Sequence, residues 1–138
     1  MQAMTSRMPT KSFGLFKRLT LIGAILALCV VVLGAYVRLT DAGLGCPDWP
    51  GCYGTLTVPE SEAAILKAQT AYPDSKVEVG KAWREMAHRY LAGTLGIIVL
   101  GLFVLGWHAK TELKTSPWLS TFLVILISFQ AMLGMWTV

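Results

Sequence analysis

Charge is scarce in this chain. Of its 138 residues 14% are Asp, Glu, Lys or Arg, against 54% hydrophobic ones, a balance too apolar for a soluble domain of this size. The scarcity is concentrated, because no charged residue occurs from Leu19 to Val37, from Tyr90 to Trp107 or from Thr115 to Val138. The N-terminal tail has no acid at all. Histidine occurs twice and cysteine three times. Two neighbouring cysteines, Cys46 and Cys52, do not make four ligands and no histidine lies near them in sequence, which excludes a zinc site there. No basic patch is interleaved with aromatics in a soluble module, so the net charge of +4 is not a nucleic-acid signal.

Each of the three uncharged runs is long enough to span a bilayer. Tyr36, Tyr90, Trp107, Trp118 and Trp136 stand near their ends, where interfacial aromatics gather. Trp118 and Trp136 are roughly 27 Å apart along a helix, close to one hydrocarbon thickness. The fold class is therefore all-α, a polytopic membrane bundle of three transmembrane helices. The sequence divides into a disordered tail (1–15), a first span (16–37), an external loop (38–84), a second span (85–108), a short loop (109–116) and a third span (117–138). Arg7 and Lys11 in the tail and Lys17 and Arg18 just after it, with Lys110 and Lys114 in the short loop, put both on the cytoplasmic side. The 38–84 loop carries both signs of charge and is read as translocated, periplasmic in a bacterial inner membrane. The first run is longer than a signal-peptide core, and Leu33-Gly34-Ala35 is a poor cleavage site.

Within the first span Gly23, Ala27 and Ala35 form a small-residue stripe suited to close helix packing, and Cys29 reads as a small buried hydrophobe. The external loop opens on the turn-rich Asp41–Gly45, and Glu60 to Ala71 reads as a short surface helix that Tyr72-Pro73 breaks. Ser116 and Pro117 suit the N-cap and first position of the third helix. Gln130 is expected to find an interhelical hydrogen bond. The chain stops at Val138 without a polar tail, as an N-terminal piece of something longer would, or one that needs partner helices.

Two constellations carry chemistry. Cys46-Pro47-Asp48-Trp49-Pro50-Gly51-Cys52 places two cysteines on the translocated, oxidising side, where a disulfide is the expected state. Closing so short a loop contributes ~2 kcal/mol in the chain-entropy picture. A structural staple is one reading, and a thiol–disulfide pair that passes electrons is the other. The second constellation is Glu85-Met86-Ala87-His88-Arg89, at the mouth of the second span. Ionisable residues there are costly and mark candidate sites. Glu85 and His88, three apart, are expected to share a helix face, with Ala92 and Gly96 leaving that face nearly bare below the histidine. His88 then reads as a haem axial ligand, with Glu85 as acid/base or orienting group and Arg38 and Arg89 as partners for carboxylates such as haem propionates. Half of a di-iron site is a poorer reading, because no second Glu-x-x-His occurs. An interfacial His88–Glu85 pair serving stability alone is the third. His108 lies roughly 30 Å from His88 at the far end of the same helix and cannot ligate the same metal.

The segments Gly34-Ala35-Tyr36-Val37-Arg38-Leu39-Thr40, Gly43-Leu44-Gly45-Cys46 through Cys52, Glu85 to Arg89, and Gln130 to Val138 together resemble the N-terminal half of haem A synthases. The resemblance covers most of residues 15–138. It implies an eight-helix membrane enzyme of two similar halves, a haem-dependent oxidoreductase that converts a methyl group of haem O to the formyl group of haem A for terminal oxidases. By resemblance, His88 matches a haem-iron ligand, Glu85 the acid needed for methyl oxidation, and Cys46 and Cys52 the external-loop cysteines found in some branches. Haem O as substrate, haem b and iron are the implied cofactors. Membrane lipid, haem O synthase, and a C-terminal half or another subunit supplying the second ligand are the implied partners. By itself the chain is expected to be inactive. The alternatives are a membrane thiol–disulfide oxidoreductase using Cys46 and Cys52, and a non-enzymatic assembly subunit.

Overall fold

The computed structural model describes residues 11–113 and 116–137. Residues 1–10 of the expected tail, Arg7 among them, and Lys114, Thr115 and Val138 lie outside the described residues. Among the described residues the elements are α1 (Lys11–Leu39), α2 (Glu62–Ala71), α3 (Val79–His108), the short α4 (Lys110–Leu113) and α5 (Pro117–Trp136). The architecture is all-helical. Helices α1, α3 and α5 are each long and apolar enough to cross a membrane. α1 begins at Lys11, inside the segment read as tail, and α3 begins at Val79, inside the segment read as loop.

Small residues set the helix contacts. A Cβ on Gly101 would lie 3.9 Å from Leu19, one on Gly23 3.3 Å from Ile98, and one on Gly34 2.8 Å from His88 Nε2. As the α1 number rises the α3 number falls, so the two helices run antiparallel with their backbones close. Of the expected stripe, Gly23 is buried and Ala27 half-buried, as is Gly34 further along, whereas Ala35 is exposed. Cys29, expected to be buried, is exposed, because it lines an open groove at the edge of the α1–α3 contact.

α3 and α5 form a hairpin joined at the end remote from the Cys46–Cys52 loop. There a Cβ on Gly106 would fall 2.8 Å from Ser120 Oγ, Trp107 Nε1 donates to Thr121 Oγ1 at 3.0 Å, and the Trp107 and Trp118 rings meet edge to face. Pro117 opens α5 at a position where its missing N–H costs nothing. Ser116 occupies the N-cap but makes no side-chain cap bond; the Ser120 and Thr121 hydroxyls instead donate to the Pro117 carbonyl. Gln130 is exposed, and among the described residues the interhelical hydrogen bond expected of it is not formed.

The loop between α1 and α3 has a core of its own. Cys46, Cys52, Tyr53, Val58 and, from α2, Ala68 pack on Ala82 and Met86 of α3, with Tyr72, Val77 and Val79 at the margin. Ser61 caps α2, accepting from the Ala64 N–H. The loop is thus a packed lid on the head of α3. At the other end, Gly106→Leu should force the α3–α5 hairpin apart and cost about 1–3 kcal/mol of stability. Thermal unfolding in detergent should show the loss, while Gly93→Ala, where an added Cβ meets nothing within 4 Å, should not lower the midpoint.

Candidate functional site

The head of α3 is built around an ion pair. Glu85 and Arg89, one turn apart, are bonded through Oε1 and Nη2, with side chains 7% and 12% exposed. A charge pair so enclosed needs further polar partners, since each ion has lost its water. The disulfide-linked ring of Cys46 and Cys52 supplies them from its backbone. The Cys46 N–H donates to Glu85 Oε2 at 3.0 Å. Arg89 Nη1 donates to the Asp48 carbonyl at 2.7 Å and the Gly51 carbonyl at 2.5 Å. Removing either charge would strand the other in an apolar setting, which costs on the order of 3–5 kcal/mol.

The ring is itself braced. Tyr53 and Gly54 both have left-handed backbones, at φ 53° and 75°, a conformation unfavourable for a tyrosine. The Asp48 carboxylate holds them there, accepting from the Tyr53 N–H at 2.6 Å and the Gly54 N–H at 2.8 Å. Tyr53 Oη donates to the Lys76 carbonyl. Burial, reinforced by Asp48, Glu78 and Glu85, pushes the Tyr53 phenol above its ordinary value, so it remains a protonated donor at neutral pH. Gly45 lets the ring approach: a Cβ there would stand 2.7 Å from the Ala82 nitrogen and 2.8 Å from the Lys81 carbonyl carbon.

His88 faces elsewhere. Its half-buried imidazole lies on α1 at Gly34, which has no side chain to exclude it, near the Val30 carbonyl. The expected shared face of Glu85 and His88 is not what forms: Glu85 turns to the loop and pairs with Arg89, while His88 turns to the seam with α1. Leu91, one turn below His88, forms the α3 wall of an apolar groove of about 560 Å³ whose other wall includes Leu28, Cys29, Val32 and Tyr36 of α1. That size is within the range of cofactor sites, roughly 300–1,000 Å³. Gly93 and Gly96 further along α3 are open to added atoms, whereas Ala92 is half-buried. Arg38, at the loop end of α1, is exposed, and among the described residues it has no ion-pair partner. His108 is at the opposite end of α3, held by the Val104 carbonyl. Among the described residues no group of three or more His, Cys, Asp or Glu side chains could hold a metal ion.

Three contributors escaped the sequence reading: Asp48, Gly34 and Gly45. Asp48 had a local signal, an acid between two prolines in a ring of turn formers. The two glycines act through close approach to α3, which nothing local in the sequence reveals.

Comparison with known proteins decides the ancestry. Residues 17–138 match the model of the cytochrome oxidase assembly protein family. The chain belongs to this family. Its curated relatives in the family carry the name heme A synthase. The chain is 50% identical over 121 residues to that of Shewanella oneidensis, covering 88% of this chain and 35% of the relative. It is 29% identical over 119 residues to the Bacillus licheniformis protein, covering 86% and 33%, and 30% identical over 125 residues to the Bartonella tribocorum protein, covering 83% and 35%. The chain thus spans about a third of the length of these relatives. No solved structure matches it. As the Cys46–Cys52 loop approaches α3 at Gly45, Gly45→Ala should lift it from the helix. Deuterium uptake at the Cys46 amide is expected to rise at least tenfold, with that of the α3–α5 hairpin unchanged.

Proposed function

We propose that this chain forms part of a haem A synthase, in which His88 ligates the iron of haem O while the methyl group is oxidised to the formyl of haem A. The observation that carries the reading is the position of His88, against Gly34 of α1 and one turn from Leu91, which lines an apolar groove of about 560 Å³. The donor chemistry fits the group: one imidazole, apolar walls for a macrocycle, and a free guanidinium at the same end of the bundle. Bound haem supplies the iron-centred redox chemistry. The protein's own residues do the rest. His88 presents a ring nitrogen, for which the imidazole turns from α1 toward the groove. Arg38 holds a propionate carboxylate at the loop end through charge-assisted hydrogen bonds. Arg89, with its donors committed to Glu85 and the ring, serves as the clamp that holds Glu85 one turn before the histidine. Glu85 is the acid/base group of this reading, and it leaves its loop-facing bonds to Arg89 and the Cys46 N–H to serve the reacting edge.

In this reading α1 starts in the bacterial cytoplasm and the Cys46–Cys52 lid lies in the periplasm. Haem O arrives through the lipid from haem O synthase. A second imidazole is contributed by another segment or subunit, because His108 lies at the wrong end of α3. The thiol–disulfide alternative is the weaker one, because Cys46 and Cys52 are 1% and 0% exposed and exchange favours accessible sulfurs.

The test uses a chimera in which residues 17–138 replace the matching part of the Shewanella oneidensis relative. His88→Ala should lower haem A per molecule of enzyme at least a hundredfold in extracted haem, with haem O accumulating. Unchanged haem A output would overturn the assignment.

A further inference from the structure

Three backbone groups of the Cys46–Cys52 ring end on two side chains of α3. The Cys46 N–H meets Glu85, and the carbonyls of Asp48 and Gly51 meet one nitrogen of Arg89. Glu85 and Arg89 are joined to each other. The two carbonyls converge on Arg89 from residues on either side of Trp49 and Pro50, and the disulfide holds the ends of the ring together, Cα to Cα 4.8 Å. An open chain would have to order the whole segment to present the same three groups at once, and ordering backbone is costly. The ion pair therefore recognises the closed ring better than the open one.

We propose that the disulfide and the Glu85–Arg89 pair are one redox-linked latch: the pair binds the oxidised ring in preference to the dithiol form, and reduction releases Glu85 from the Cys46 amide. The reductant is a dithiol. One of its thiolates attacks a ring sulfur, the Cys46–Cys52 bond breaks, and a mixed disulfide forms. Its second thiolate then attacks the donor sulfur of that mixed disulfide and displaces the cysteine still bound to it. Two electrons and two protons end on the Cys46 and Cys52 sulfurs, and the donor leaves as a disulfide. The two sulfurs are almost wholly enclosed, so exchange is slow and the equilibrium is what is read; a small dithiol approaches through a polar hollow of about 490 Å³ bordered by Cys46, Asp74, Lys76 and Glu78. Linkage is reciprocal: a pair that favours the oxidised ring makes the ring harder to reduce by the same factor. This coupling is independent of haem.

The experiment uses the full chain in detergent with Cys29→Ser, so that Cys46 and Cys52 are the cysteines counted. Samples are equilibrated at pH 7 in dithiothreitol redox buffers and their thiols counted by maleimide mass shift. Glu85→Gln and Arg89→Gln should each shift the thiol–disulfide equilibrium at least tenfold toward the dithiol, about 30 mV less negative for a two-electron couple. Glu60→Gln, which removes a carboxylate charge outside the ring, on the acceptor of the Trp83 indole N–H, should stay within threefold of the parent. A midpoint unmoved or shifted to more negative values in folded variants overturns the latch. A second measurement needs no variant at Glu85 or Arg89. Carbodiimide labelling of Glu85, read by mass spectrometry, should be at least tenfold faster after reduction, and equal rates in the two states overturn the latch as well.

Discussion

An ion pair enclosed in protein at the head of an apolar helix must be solvated by something other than water, and here the solvent is the backbone of a seven-residue ring. Glu85 takes one N–H and Arg89 takes two carbonyls. The rest of the loop follows from that requirement. Asp48 fixes the left-handed Tyr53–Gly54 turn so that the ring faces inward. Gly45 permits the approach to α3. Met86 and Ala82 provide the apolar floor on which the two sulfurs rest. Remove the pair and the loop retains a small core but loses its register on the helix.

The same helix carries a second, separate polar contact. His88 belongs to the α1–α3 seam, one residue before the arginine of the clamp. The clamp orients α3 toward the loop, and the seam orients it toward α1, so the imidazole is fixed by two neighbours that share no atoms. This division explains why the site's arginines differ in character. Arg89 is spent on internal bonds, whereas Arg38 remains available at the surface.

Much of this was legible in the sequence and some was not, for identifiable reasons. Length and absence of charge revealed the three long helices, because those features follow directly from solvation of the chain. The cysteine spacing and the Glu85–Arg89 cluster stood out for the same kind of reason, cost. The helix-face argument for Glu85 and His88 went astray because residues three apart are offset by about 60° around the helix, enough for two different neighbours to claim them. The i,i+4 partner, Arg89, was read as a ligand contact when it is Glu85's own counter-ion. Asp48 and Gly45 depend on contacts with chain some tens of residues away, and Cys29 and Gln130 on which faces α1 and α5 leave uncovered. No local pattern encodes those.

The length of α3 has a consequence for where this polarity sits. Thirty residues make a rod of about 45 Å, while the hydrocarbon layer is about 30 Å thick. With its aromatic end at Trp107 seated at one interface, an upright α3 protrudes from the other by about ten residues, from Val79 to His88. The acid and the lid then stand among lipid headgroups, and the imidazole marks the waterline. Polarity along α3 is thus sorted by depth, the buried ion pair above His88 and the uncharged run from Tyr90 to Trp107 below it.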